Sequence, residues 1–128
     1  GEVPQVLTYD SIEQECEKIV SLVNENISNF DNIAIICKNK KEAEKYFSYL
    51  YELDDLKLMD ENSTLSKVMI MPASICKGLE FDMVILPNVT TENYNNLLDK
   101  NLLYVSATRA LHRLYLTSIN NVSKFIKK

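Results

Sequence analysis

Residues 69–86 read Met-Ile-Met-Pro-Ala-Ser-Ile-Cys-Lys-Gly-Leu-Glu-Phe-Asp-Met-Val-Ile-Leu: an apolar run, a turn at Lys77-Gly78, then a second apolar run. Short apolar runs bounded by turn residues point to buried strands. The chain contains only two glycines, Gly1 and Gly78. Gly78 is therefore the one interior position where a residue free to take positive φ is used, and it is followed at once by Glu80 and Asp82 flanking Phe81. The pattern predicts a tight turn between two strands, residues 67–71 and 83–86, the second stopped by Pro87-Asn88.

Upstream, residues 32–37 (Asn-Ile-Ala-Ile-Ile-Cys) are continuously apolar after the first, as expected of a strand buried on both faces of a parallel sheet. Before it, Ile12, Cys16, Ile19, Val20, Val23 and Ile27 recur at three- and four-residue steps, predicting a covering helix to about Ser28. Asp10 is placed to cap that helix, with Glu13 closing a capping box. After the strand, Ala43, Tyr46, Phe47, Leu50 and Leu53 form the stripe of a second helix, and an acidic loop at 54–62 surrounds a short edge strand at 57–59. Downstream, residues 98–111 have helical spacing, 114–119 read as a last strand and 122–126 as a short terminal helix. Buried strands alternating with amphipathic helices argue for an α/β domain with a mostly parallel sheet, so ligands are expected at the carboxyl ends of the strands.

At 128 residues, 46% hydrophobic and 25% charged, the chain is expected to be one globular domain, 1–128. No apolar run approaches the roughly 18 residues of a membrane span, so no membrane partner is expected and a cytoplasmic protein is. Cys16, Cys37 and Cys76 form no C-x-x-C pair, which points to reduced, buried thiols and no metal site. The net charge of −4 conceals an asymmetry: all 18 acidic residues lie at or before Asp99, and the remainder of the chain is basic. A basic end attracts the phosphates of nucleotides or nucleic acids, or is simply a solvated terminus.

No G-x-x-x-x-G-K-[ST] loop is present, so the chain has no phosphate cradle of its own and is not a self-sufficient ATPase. Thr108-Arg109-Ala110, expected on a helix with apolar neighbours, is the other candidate for chemistry. A partly buried guanidinium demands an anion: a phosphate, or one of the upstream carboxylates.

Lys77-Gly-Leu-Glu-Phe-Asp-Met-Val-Ile-Leu86 resembles motif V of superfamily 1 helicases of the UvrD/Rep type, and Leu102-Leu-Tyr-Val-Ser-Ala-Thr-Arg-Ala110 resembles their motif VI. Residues 33–39 resemble motif IV. The resemblance covers most of the chain and implies a RecA-like three-layer domain, the second motor domain (2A), cut from a larger protein. Within the superfamily, residues 102–116 and the Glu92-Asn93-Tyr94 turn most resemble the helicase IV and HelD branch, whose HelD members are motors associated with RNA polymerase.

What the resemblance implies is an ATP-dependent DNA helicase or translocase, with ATP and Mg²⁺ held mainly by the first motor domain (1A) and no cofactor in the isolated domain. Arg109 would be the catalytic arginine finger, with Gly78, Glu80 and Lys38 also at the nucleotide, Glu80 on its sugar. Ser74 and Lys77 would lie at the nucleic acid, Lys77 either touching a phosphate or merely solvating the turn. The chain departs from the pattern in three places. Lys38 replaces an arginine and loses its bidentate fork. Pro72 and Ser74 replace Thr-x-His, weakening the case for DNA contact there, and the 2B insertion is missing. The alternative is a catalytically silent module that docks RNA polymerase or another partner. His112 is expected to cap a helix or lie on the surface, and Tyr46, Tyr49 and Tyr51 to pack at the core and its rim.

Overall fold

The computed structural model describes residues 3–126. Six strands, β1 (Gln5–Tyr9), β2 (Ile33–Cys37), β3 (Lys57–Leu58), β4 (Val68–Pro72), β5 (Phe81–Leu86) and β6 (Ala110–Ile119), form one sheet in the order β1-β6-β5-β2-β4-β3. Every pairing is parallel. Three helices, α1 (Ile12–Asn26), α2 (Lys40–Tyr49) and α3 (Leu97–Ala107), connect them.

Strict alternation along β2 divides the interior in two. Ile33, Ile35 and Cys37 face a core closed by Cys16, Ile19 and Val23 of α1 and by Ala43 and Tyr46 of α2. Ala34 and Ile36 face the opposite core, closed by Leu103 of α3, Tyr94, Val89 and the chain after β6. Because both faces are covered, no solvent-facing alternation survives in β2, β4 or most of β5. The sheet is thus the middle of three layers, as expected, and wholly parallel among the described strands.

Several local expectations are corrected. Ser11, not Asp10, caps α1: its Oγ accepts from Gln14 N at 3.2 Å, while Gln14 Oε1 takes the Asp10 amide at 3.1 Å. Gln14 thus reaches back to the residue before the cap rather than to the cap itself, so the reciprocal box expected with Glu13 is not formed, and the helix ends at Asn26 rather than Ser28. Residues 77–78 do not join neighbouring strands, because β2 lies between β4 and β5. Residues 73–80 instead cross the sheet through a 3-10 turn at Ala73–Ile75, and Gly78 takes φ +83° on the way. The helix expected at 98–111 stops at Ala107, and β6 begins at Ala110, so Leu111 and His112 are strand residues. Pairing decides this: Phe81 N donates to Arg109 O at 2.8 Å, and β5 then holds the following residues extended. Residues 122–126 are not helical, because Ser123 is held by Val89 O through its amide (2.9 Å) and by Tyr94 O through its hydroxyl (2.7 Å).

Candidate functional site at the two edges of the sheet

The residues singled out in the sequence divide between opposite edges of the sheet. Gly78 and Glu80 lead into the amino end of β5, and Arg109 leads into the amino end of β6, its neighbour. Lys38 follows the carboxyl end of β2, and Ser74 that of β4. The expectation that ligands belong at the carboxyl ends therefore fits only part of the set.

Arg109 lies in the turn after α3, not on the helix. Its half-buried guanidinium is held by the protein's own oxygens: Nε donates to Val105 O at 3.0 Å, Nη1 to Leu79 O at 3.4 Å, and Nη2 to Thr108 Oγ1 at 3.1 Å. None of these acceptors carries a charge. The ion pair among the described residues is Lys38–Asp99, and His112 Nε2 lies 3.7 Å from Asp82 Oδ1, so Arg109 has no carboxylate partner there, and the upstream ion pair is not found. Of the five N–H donors of a guanidinium, these contacts use three. The fork is oriented, its charge meets no carboxylate among the described residues, and donors remain for an anion.

Around it, Lys77, Gly78 and Glu80 are exposed. A Cβ on Gly78 would meet nothing within 4 Å, so positive φ, not space, selects glycine here. Glu80 has no hydrogen-bond or ion-pair partner among the described residues, and Phe81 behind it is fully buried. Asp82, at a bulge in β5, fastens this edge: its Oδ2 accepts from Asp31 N at 2.8 Å, and its amide donates to Asn32 Oδ1 at 2.8 Å. Cys76, buried beside α3, has its thiol pushed up by burial, against the opposing influence of a Ser106 hydrogen bond and of Arg109.

The carboxyl edge is built differently. The chain leaves β2 towards β4 and β3 but leaves β5 towards β6, so the crevice between the ends of β2 and β5 is the switch point where such sheets usually take ligands. Here the protein's own side chains fill it. Lys38 Nζ pairs with Asp99 Oδ1 at 3.0 Å, donates to Asn93 O at 2.7 Å and lies 5.9 Å from the centre of the Tyr94 ring. Asn93 Nδ2 donates to Glu42 Oε1 (3.1 Å) and Asn88 O (3.0 Å). Burial pushes the Glu42 carboxyl up, only partly opposed by hydrogen bonds from Asn88 and Asn93. Asp99 is pushed up by burial too, but the Asn95 and Asn96 amides and Lys38 outweigh this and hold it below the usual carboxylate range.

Glu15 completes the network and was not singled out by the sequence. Fully buried, it accepts from Tyr46 Oη (2.5 Å), Asn88 N (2.8 Å) and Thr117 Oγ1 (2.7 Å), tying α1 to α2 and to the ends of β5 and β6. Its partners are distant in sequence, so no local spacing could have revealed it. Ser74 opens onto a cleft of about 350 Å³ shared with Lys40, Glu44, Asp60 and Glu61. Carboxylates outnumber ammonium groups there, an unfavourable lining for a phosphodiester backbone. Among the described residues no cluster of His, Cys, Asp or Glu could hold a metal.

A family model for the UvrD-like helicase C-terminal domain matches residues 69–117. The C-terminal domain of a possible DNA helicase from Lactobacillus plantarum WCFS1 superposes with a TM-score of 0.89 at 31% identity, over 98% of this chain and 79% of that one. The chain belongs to the UvrD-like helicase C-terminal domain family. No curated protein matches it.

For a UvrD-like C-terminal domain, the matched span has a telling distribution. It contains Ser74, Lys77, Gly78, Glu80 and Arg109 but not Lys38, Glu42 or Glu15. The amino-edge candidates thus all lie inside the part the family model describes, whereas the network that fills the switch-point crevice joins Glu15, Lys38 and Glu42 before it to Asn88, Asn93, Asp99 and Thr117 within it. Asn93 and Tyr94, part of the turn that suggested a HelD relationship, serve this network as well, so packing within the domain accounts for them.

Proposed function

We propose that this UvrD-like domain is the C-terminal half of an ATP-dependent superfamily 1 motor acting on nucleic acid, DNA by preference, in the cytoplasm. It presents its amino edge to ATP and Mg²⁺ held mainly by a first motor domain. The observation that carries this reading is the Arg109 guanidinium, oriented by Val105 O and Leu79 O yet matched by no carboxylate among the described residues. A fork with spare donors suits the charge that develops on a phosphoryl group in transfer.

Bound nucleotide would supply the phosphoanhydride to be cleaved, and Mg²⁺ would neutralise its oxygens. Within this chain, Arg109 would stabilise the terminal phosphoryl group. Glu80, exposed and with no partner among the described residues, would accept from a ribose hydroxyl, while Gly78 leaves the backbone beside it uncovered. Lys38 is committed to Asp99 and Asn93, which favours a role in holding α3 over one at the nucleotide. A narrower placement in the helicase IV and HelD branch, with RNA polymerase as partner, rests on sequence resemblance alone. The silent docking module is disfavoured because such a module needs no unpaired, pre-oriented arginine.

The test is turnover in the intact parent protein. Arg109→Ala should lower ATP hydrolysis by roughly 10² to 10⁴ while nucleotide affinity stays within a few fold, and Arg109→Lys should restore little. Near-normal turnover by a folded Arg109→Ala protein would remove the assignment.

A further inference from the structure

The basic end of the chain is not absorbed by the amino-edge site. Residues 121–126 are pinned to the domain through Ser123, and this sets Phe125 beside the outer face of α3. Lys100 Nζ then lies 5.7 Å from the Tyr104 ring centre and 5.9 Å from that of Phe125, and Lys124 Nζ lies 5.5 Å from Phe125. Tyr104 Oη donates to Phe125 O at 3.4 Å, closing the group. Tyr104 is 47% exposed, Lys124 is exposed, and neither lysine forms an ion pair with a described residue. Glu92 touches the segment, but through Asn121 Nδ2.

We infer that Lys100, Tyr104, Lys124 and Phe125 form a contact surface for single-stranded nucleic acid, separate from the candidate residues at either edge of the sheet. Two ammonium groups held over aromatic rings, with no carboxylate among the described residues to neutralise them, are positioned for successive phosphates. The exposed Tyr104 ring offers a flat surface to a base, and the combination of basic groups with rings is the sequence-tolerant way of holding a single strand. Attraction across the whole molecule cannot do this, since the chain is net negative at −4. The cations must be concentrated, and after Asp99 there is no acid at all. The inference rests on the helicase-domain reading only for the class of polymer.

The experiment is fluorescence anisotropy of a labelled oligo-dT of about 15 nucleotides with the 128-residue chain, titrated at several salt concentrations. Binding should weaken with salt. The Lys100→Gln/Lys124→Gln double variant should bind about tenfold more weakly, its log–log salt slope shallower by about 1.4 for two lost phosphate contacts. Tyr104→Ala should cost about tenfold and Tyr104→Phe little, because the ring face is kept. Circular dichroism checks that each variant is folded. Three results would overturn the inference: no binding by the wild type at low salt, binding unchanged in the double variant, or loss confined to Lys77→Gln. A fourth would be poly-glutamate competing as well as unlabelled oligo-dT, which would make the surface a site for acidic protein. Arg109-dependent turnover does not enter this measurement, so failure here leaves the motor reading standing, and the reverse also holds.

Discussion

The charged side chains singled out at the two edges of the sheet are used in opposite ways. At the carboxyl edge, Glu15, Glu42, Lys38 and Asp99 are buried or half-buried and satisfied by one another and by Asn88, Asn93, Tyr46 and Thr117. At the amino edge, Lys77 and Glu80 are exposed, and Arg109 is fixed in direction but not neutralised. A buried charge without its partner is costly, so the first edge spends its polar groups on the fold. The second commits Asp82 to the fold through Asp31 and Asn32 but leaves Lys77, Glu80 and Arg109 with no charged partner among the described residues. Charged residues in a sheet protein thus divide by whether their partners are internal.

If that contrast is right, the largest stability losses come from the carboxyl edge. Glu15→Ala strands two buried hydroxyl donors and the half-buried Asn88 amide and should lower unfolding free energy by about 3 to 5 kcal/mol, read by urea denaturation. A loss under about 1 kcal/mol would mean the network is incidental. Lys38→Met comes next. It leaves the mostly buried Asp99 carboxylate to its amide donors and loosens the start of α3, for about 2 kcal/mol. Because Asp99 is held below its usual range, its contribution is present above the unfolded pKa and is lost as pH falls through the folded one. The cost of Lys38→Met should accordingly shrink in acid.

Gly78→Val tests the other edge where backbone geometry, not charge, is at stake. A β-branched residue at φ +83° should cost about 1 to 3 kcal/mol although its Cβ meets no neighbour, and an unchanged Tm would show that this conformation is not required. Glu42 gives a smaller effect of opposite sign to that of Asp99. Its raised pKa means that the folded state binds its proton more readily, so the group's contribution is complete below the unfolded pKa and fades as pH rises through the folded one. Relative to wild type, Glu42→Gln should therefore be more favourable at pH 7 than at pH 4, and a Tm difference independent of pH would contradict this. Smallest of all, Lys77→Ala and Glu80→Ala should change stability by no more than about 0.5 kcal/mol. A large loss in either would show that the amino edge too is internally committed.

Much of this was legible in the sequence. The apolar runs placed β2, β4 and β5 to within two residues, because strands covered on both faces have no periodicity to confuse. The helix stripes placed α1 and α2. The boundary at 107–110 was not legible: apolar residues at helical spacing continue through Leu111, and only pairing with Phe81 turns the chain into a strand. The cap of α1 was misplaced by one residue because Asp10 and Ser11 are both good caps and only the docking of β1 selects between them.

For the candidate site the division is sharper. By itself the sequence singled out the candidates at the amino edge, since Gly78, Glu80 and Arg109 lie in two short motifs whose spacing is local. Only the tertiary structure decided which residues share an edge, that Arg109 meets no carboxylate among the described residues, that Lys38 does, and that Glu15 is buried at the hub of a network. The reason is physical. Backbone propensity and amphipathic period act over a few residues, whereas the partner of a charge is set by strand order, and the partners of Glu15 lie 31, 73 and 102 residues away along the chain.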